Sequence, residues 1–233
     1  SDLLPAPARA DIRTQIGWTQ DQDEVLAQEG VRDCWLVVGK RVEEETLGKL
    51  GRSSFLKVQR TWLWGKATRK QALFLDFAAP GQVLNPGFIP GTYLETELAF
   101  FPGGYPMRAL VKGNPSAPVT DSFIPGYANF SAVYQAYIAA FTAAPWLDIF
   151  PMTVQNVTPC QHGEKWGLRD ADGFFIPIRA GFMQAWSLVS LSGGNPLTIF
   201  SEWDGTALWP LSVWADRRFI LLQPINSEGG QHE

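Results

Sequence analysis

The sequence predicts a β-rich α+β fold, in which an antiparallel meander sheet is followed by a helix and a small SH3-like barrel or sandwich. Its 233 residues include 22 Gly, 17 Pro, ten Trp and fifteen Phe, a composition typical of short strands joined by tight turns. Apolar and polar residues alternate with period two through most of the apolar runs. Two Asp-Gly pairs, at 172–173 and 204–205, lie between such runs and indicate hairpins.

The first half of the chain predicts a short helix and an antiparallel sheet. Residues 19–30 carry polar capping candidates, acids in the first turn and a final Gly, which favours a helix. Apolar alternation then predicts strands at 34–40, 56–64, 71–79, 92–101 and 107–111. An antiparallel sheet of this kind can expose one face to water.

The second half begins with a helix and continues as strands. Residues 131–144 place apolar side chains at helical spacing before Pro145, and we expect this helix to pack between two domains through Tyr134, Ile138 and Phe141. Six strands are predicted after it, including one over residues 185–191. The predicted organisation is a linker with a short helix (1–30), a sheet domain (31–112), a linker (113–129), a helix with a small barrel (130–225) and a tail (226–233).

The charge of the chain is polarised. Residues 40–70 contain nine basic residues and three acidic ones, a net charge of +6, in a chain whose net charge is −4. A cationic track with aromatic rings can hold single-stranded nucleic acid, and the same surface can hold a protein partner. The candidate binding residues are Lys57, Arg60, Trp62, Trp64, Lys66, Arg69 and Lys70. In the alternative interpretation the cations protect a sheet edge and pair with Glu43, Glu44 and Glu45, while the indoles fill the core.

Cysteine and histidine content argues against a metal centre and indicates a reducing compartment. Cys34 and Cys160 are the only cysteines and form no Cys-x-x-Cys pair, as expected for a cytoplasmic protein. Cys160 and His162 supply two ligands, fewer than a zinc site needs, so neither a metal nor another cofactor is predicted. The sequence lacks an apolar run of about 18 residues, and we expect no membrane association.

No sequence motif indicates a reaction, so the chain is predicted to be a non-catalytic binding module. The alternative is a hydrolase or another enzyme whose site is assembled from distant segments. Its candidate residues are Cys160, His162, Asp170, Asp172 and Asp76.

Several sequence segments resemble the region C-terminal to the zinc finger in bacterial SWIM zinc finger family proteins. They are RVEEE (41–45), LKVQRTWLWG (56–65), ALFLDFAAPGQ (72–82), PGTYLETELAFFPGGYPMRAL (90–110), APWLDIFPM (144–152) and LTIFSEWDGTALWPLSVW (197–214). The family's CxC…CxH motif is missing, so no zinc ligand is carried over to this chain. The resemblance implies an accessory module that holds a protein partner or nucleic acid beside a zinc finger located upstream of Ser1.

Overall fold

The computed structural model describes residues 21–47, 54–84 and 87–222 and confirms the β-rich α+β class. The helices are α1 (Gln22–Ala27), α2 (Phe130–Ala143) and α3 (Ala185–Ser192). The strands are β1 (Val31–Leu47), β2 (Ser54–Gly65), β3 (Gln71–Ala78), β4 (Tyr93–Phe100), β5 (Ala109–Lys112), β6 (Phe150–His162), β7 (Lys165–Arg169), β8 (Phe175–Pro177), β9 (Leu197–Trp203), β10 (Leu208–Ala215) and β11 (Arg218–Leu221). Across these described ranges, none of the helices has the length and apolar character that a membrane span requires.

The chain divides into two compact units. The first runs to Phe123 and includes residues 138–147, and the second contains 124–137 and the chain from Asp148 onward. Helix α2 is therefore shared between the two groupings. The division between Phe123 and Ile124 lies within the stretch 113–129 that the sequence indicates as a linker.

The first unit is a five-stranded antiparallel sheet in the order β3-β2-β1-β4-β5. Strands β1 to β3 form the predicted meander, and β4 then returns to the free side of β1, pairing Trp35 with Leu94. The sheet curls until its edges meet, since the Leu73 N–H donates to the Met107 carbonyl at 2.8 Å beside a parallel bridge to Arg108. Curling gives the sheet an inner face, and its core contains Trp35, Val37, Leu63, Ala72, Leu94, Leu98 and Ala109.

Helix α1 is shorter than predicted but has the predicted cap chemistry. The Asp21 carboxylate accepts a hydrogen bond from the Asp23 N–H at 2.9 Å, which satisfies one orphan donor of the first turn. Val25 is its buried residue. Residues 19 and 20 of the predicted segment lie outside the described ranges.

The second unit is a six-stranded antiparallel sheet in the order β11-β10-β9-β6-β7-β8. Its central strand β6 was not predicted, because Pro151 and Pro159 suggest a broken segment. Residues 150–157 of β6 pair with β9, and residues 158–162 pair with β7. Asn156 adopts a left-handed φ of 55° at a register shift within the pairing with β9, between Val154 and Val157, and this bulge lies just before the residues that pair with β7.

The prediction of a strand over residues 185–191 is wrong, because these residues form helix α3. Ala185, Leu188 and Ser192 are its buried residues, at helical rather than alternating spacing. Gly193 ends the helix in the left-handed region at φ 52°, and its N–H donates to the Val189 carbonyl at 3.0 Å. The Gly-Gly pair after an apolar run therefore marked a helix terminus.

The helix predicted over 131–144 is confirmed as α2. The Asn129 side chain accepts from the Ala132 N–H at 3.0 Å and caps it, as expected for an N-cap residue. All three predicted packing residues, Tyr134, Ile138 and Phe141, are exposed, although the Tyr134 ring meets the buried Trp203 ring edge to face with 5.2 Å between centroids. Its buried side is a stripe at helical spacing that consists of Phe130, Val133 and Ala140, and Ala144 just after the helix is buried as well.

Candidate functional site

The inner face of the first sheet changes from apolar to polar along the strands. Leu63 pairs with Ala72 in the core, Thr61 pairs with Phe74 in the next layer, and Gln59 pairs with Asp76 beyond it. Because side chains two residues apart share a face, one strand pair supplies all three layers. The apolar core therefore ends in a polar layer at one end of the curled sheet.

A cavity of about 540 Å³ lies at this end. Its volume falls within the range of about 300–1,000 Å³ that is typical of small-molecule sites. Most of its lining is apolar, and the polar side chains are few. The lining residues are Gln59, Thr61, Phe74, Leu75, Asp76, Gly87, Phe88, Ile89, Thr92, Leu94, Val111, Pro115, Ser116 and Pro118.

Backbone hydrogen bonds hold one wall of the cavity, the segment before β4. The Gly91 N–H donates to the Val37 carbonyl at 2.8 Å, and the Val37 N–H donates to the Thr92 carbonyl at 3.0 Å. Gly91 has φ of 82°, which a side chain would strain. Phe88 in the same segment meets Phe74 edge to face, with 5.0 Å between ring centroids. This wall is fixed by the protein itself.

The opposite wall is attached to β4 in the same manner. The Ser116 N–H donates to the Glu95 carbonyl at 2.9 Å, and the Glu95 N–H donates to the Ser116 hydroxyl at 2.8 Å. Val119 continues the attachment by exchanging two backbone bonds with Tyr93, at 2.7 and 2.8 Å. Both walls are therefore formed before any ligand arrives.

One carboxylate, Asp76, lines the polar layer of the cavity, and Lys40 stands near it on the same face of the sheet. Lys40 pairs with Thr61 across β1 and β2, so its side chain leaves the sheet on the cavity face. Burial lowers the pKa of Lys40, and the charge of Asp76 opposes that shift. One ammonium and one carboxylate compensate each other, with Gln59 and Thr61 as neutral hydrogen-bonding groups. This arrangement suits an apolar ligand with a neutral polar end.

The predicted binding residues of the basic hairpin occupy two environments. Trp62 and Trp64 are 1% and 7% exposed. Since neither ring lies at the surface, neither offers a face on which a base could stack while the sheet is intact. Strand β2 is thus buried on both faces near its end, rather than on one face as an amphipathic strand would be.

Most of the hairpin cations have acidic partners. Lys57 lies 3.6 Å from Glu44, Arg60 lies 2.7 Å from Glu43, and Lys66 forms an ion pair with Asp121. The Lys70 ammonium stands 5.6 Å from the centroid of the Phe100 ring. Arg69 is exposed in the turn with a left-handed φ of 56°. The exposed cationic surface is therefore concentrated at the hairpin tip.

The residues of the enzyme alternative include two carboxylates with structural partners. Asp170 is buried and accepts from the backbone N–H groups of Phe130 and Phe174, both at 2.9 Å. Asp172 accepts from the Asn129 side-chain amide at 2.8 Å. Together they tie the start of α2 to the turn after β7.

Of the remaining candidates, two lie on one strand of the second unit and one lies in the first unit. Cys160 is a free, half-buried thiol on β6, and the ring of His162 at the end of the same strand lies 5.6 Å from that of Phe175. Asp76 belongs to the first unit. Among the residues with described positions, no group of three His, Cys, Asp or Glu side chains could hold a metal ion.

Sequence reasoning missed the cavity. The signal available was the polar inner positions of β2 and β3, Thr61, Gln59 and Asp76, which follow apolar residues on the same face of the sheet. Comparisons with protein-family models, with curated proteins and with solved structures found no match for this chain.

Proposed function

We propose that the chain is a non-catalytic binding module, and that the cavity of the first unit is its binding site. The observation that carries this proposal is a preformed apolar cavity of about 540 Å³ that ends in a few convergent polar groups. The expected ligand is compact and uncharged overall, with an apolar body against Phe74, Phe88 and Leu94. Its polar end meets Gln59, Thr61 and Asp76.

The apolar lining of the site supplies the driving force for binding. A ligand that buries about 200 Å² of apolar surface gains about 5 kcal/mol at roughly 25 cal/mol per Å². The loss of translational and rotational freedom on association offsets much of this gain, and hydrogen bonds at the polar end add to it. A probe with a large apolar surface is therefore the suitable one.

The test uses the neutral fluorescent probe N-phenyl-1-naphthylamine and the full chain. Val111 lines the cavity, so Val111→Trp fills it, and we expect saturable probe binding to weaken at least about tenfold, equivalent to 1.4 kcal/mol. Ile89→Trp adds a side chain to the same cavity from the segment before β4, and we expect it to weaken probe binding to the same extent. Val83→Trp, at a fully exposed position, is the matched control and should bind as the parent does.

Two results would reject the cavity as the binding site. One is the absence of saturable binding by the parent chain. The other is unchanged binding by both filled variants when circular dichroism shows that they are folded.

We propose that the binding module also contacts a macromolecular partner, either a protein or a nucleic acid. Exposed Ile138 and Phe141 support contact with a protein partner, as exposed apolar side chains do when they are grouped. The exposed Arg69 and Lys70 support contact with single-stranded nucleic acid.

The relationship to SWIM zinc finger proteins stays a prediction. The free thiols of Cys34 and Cys160 support the proposed cytoplasmic location.

A further inference from the structure

The second unit contains a cavity of its own, of about 450 Å³. It lies between the start of β7, the segment after β8 and the turn from β9 to β10. Its lining combines the aromatic side chains Trp166 and Phe182 with the charged residues Glu164, Lys165, Arg179 and Asp204. Aromatic walls with many charged groups differ from the apolar lining of the first cavity.

The backbone fixes the position of Arg179. Its N–H donates to the Leu208 carbonyl at 2.8 Å, and its carbonyl accepts from the Phe182 N–H at 3.3 Å in a turn where Gly181 has φ of 89°. The guanidinium Nη2 lies 2.5 Å from an Asp204 carboxylate oxygen. Arg179 is thereby held at the cavity with donors remaining for a ligand.

Asp204 is saturated by the protein and neutralises Arg179. Its second carboxylate oxygen accepts from the Thr206 N–H at 2.8 Å, the Thr206 hydroxyl at 2.6 Å and the Ala207 N–H at 2.8 Å. Burial raises the pKa of this carboxyl, but these bonds and the bond from Arg179 outweigh burial and hold the pKa well below its usual range. Glu164 and Lys165 add one formal charge of each sign to the lining, so the cavity has many polar groups and formal charges that sum to zero.

Aromatic surface extends from this cavity to the outside of the molecule. Trp166 meets Trp186 edge to face, with 4.8 Å between ring centroids and an interplanar angle of 69°. Trp186 is 70% exposed, which is unusual for so large an apolar side chain. Phe182 on the lining is in turn supported by Trp209, at 5.7 Å.

We propose that this cavity and the adjoining Trp186 form a binding site for a neutral oligosaccharide. A sugar ring has an apolar C–H face that suits the negative face of an indole, and hydroxyl groups around its edge that both donate and accept hydrogen bonds. Trp186 and Trp166 supply the indole surface, and Arg179 and Glu164 supply a donor and an acceptor. An anionic ligand is disfavoured, because Asp204 already compensates Arg179.

The proposal is tested on the full chain by calorimetry and saturation-transfer NMR. The probes are maltotriose, cellotriose, xylotriose and triacetylchitotriose, with glucuronic acid as the anionic comparison. We expect saturable binding of at least one trisaccharide. Trp186→Ala should weaken it about tenfold, and Arg179→Met should do the same.

The control is Phe174→Ala, which removes another exposed aromatic side chain at the opposite end of β7 and should leave binding unchanged. Because Trp186 is 70% exposed and the Arg179 side chain is nearly half exposed, both variants should fold like the parent. Failure of all four trisaccharides to bind, or binding that neither variant weakens, would overturn the proposal. Preference for glucuronic acid would overturn the neutral class of ligand.

This site is independent of the one proposed for the first unit. Its probes are polar sugars rather than an apolar amine, and its variants lie in another compact unit. Loss of probe binding in Val111→Trp with retained sugar binding separates the two proposals, as does the reverse result in Trp186→Ala.

Discussion

At the scale of single residues, one buried carboxylate organises the hairpin between β2 and β3. Asp33 on β1 accepts hydrogen bonds from the Thr68 hydroxyl at 2.6 Å, the Thr68 N–H at 2.8 Å and the Ala67 N–H at 3.0 Å. Burial raises the pKa of Asp33, but these bonds and one from the Cys34 N–H outweigh burial and lower it. The turn is therefore attached to β1 by a group that must stay ionised.

We expect Asp33 to make stability depend on acidity. A carboxylate whose folded pKa lies below its unfolded value of about 3.9 contributes fully above that value. Its contribution is lost as pH falls through the folded pKa. Asp33→Asn should lower the free energy of unfolding by about 1–3 kcal/mol at neutral pH and flatten the decline below about pH 4.

Urea unfolding across this acid range measures the effect. The exposed Asp148→Asn is the control and should keep the parent profile. An unchanged acid profile in Asp33→Asn would show that the hydrogen bonds of Asp33 do not favour its ionised form.

The two tryptophans of β2 lead to a second prediction. Trp62 is fully buried, so Trp62→Ala should lower the free energy of unfolding by about 3–5 kcal/mol. Trp186→Ala removes the same side chain from an exposed position, where it contacts Trp166, and should lower it by no more than about 1.5 kcal/mol. If urea unfolding shows the same loss of unfolding free energy in Trp62→Ala and Trp186→Ala, the assignment of Trp62 to the core is contradicted.

At the scale of elements, local pattern predicted most of the strands and failed where tertiary context decided. Alternation predicted β2 and β3, and the Asp-Gly pair at 204–205 lies in the turn between β9 and β10. Strand β6 was missed because Pro151 and Pro159 suggest that the strand is interrupted. In the structure both prolines lie in one strand, on either side of a bulge. Helix α3 was predicted as a strand because a short apolar run fits both periods, and only its Gly193 end distinguishes them.

The candidate site depended on information that the sequence pattern does not contain. Gln59 and Asp76 come to lie beside a cavity only because the sheet curls and brings β3 to the segment before β5. Curling is a property of the whole sheet, whereas the excess of basic residues between 40 and 70 is visible in the linear sequence. Reasoning from the sequence therefore selected the cations and overlooked the cavity.

The β2–β3 hairpin can be tested separately as a nucleic-acid surface. Arg69→Gln with Lys70→Gln removes its exposed tip cations, and Arg217→Gln with Arg218→Gln removes an exposed basic pair in the second unit as the matched control. If the tip contacts two phosphates, its removal should reduce the salt slope for single-stranded DNA by about 1.4, at roughly 0.7 per contact. Equal slopes for parent and tip variant would exclude the tip as the contact surface.

At the scale of the whole molecule, each unit consists of an antiparallel sheet with a cavity of its own. The first cavity continues the apolar core of its sheet, and the second is bounded by aromatic rings and compensated charges. The difference in lining predicts a difference in ligand: an apolar molecule for the first cavity and a polar one for the second. Binding at two chemically distinct sites would fit the binding module proposed above.

Methyl NMR of the full chain, titrated with N-phenyl-1-naphthylamine, tests the central claim most directly. Ile89, Leu94 and Val111 carry methyl groups on the lining of the first cavity, whereas Leu197 and Val213 are buried in the second unit. We predict saturable shift changes at the first three residues and none at the other two. Saturable changes confined to the second unit, or none at the cavity residues when the probe is in excess, would contradict the account.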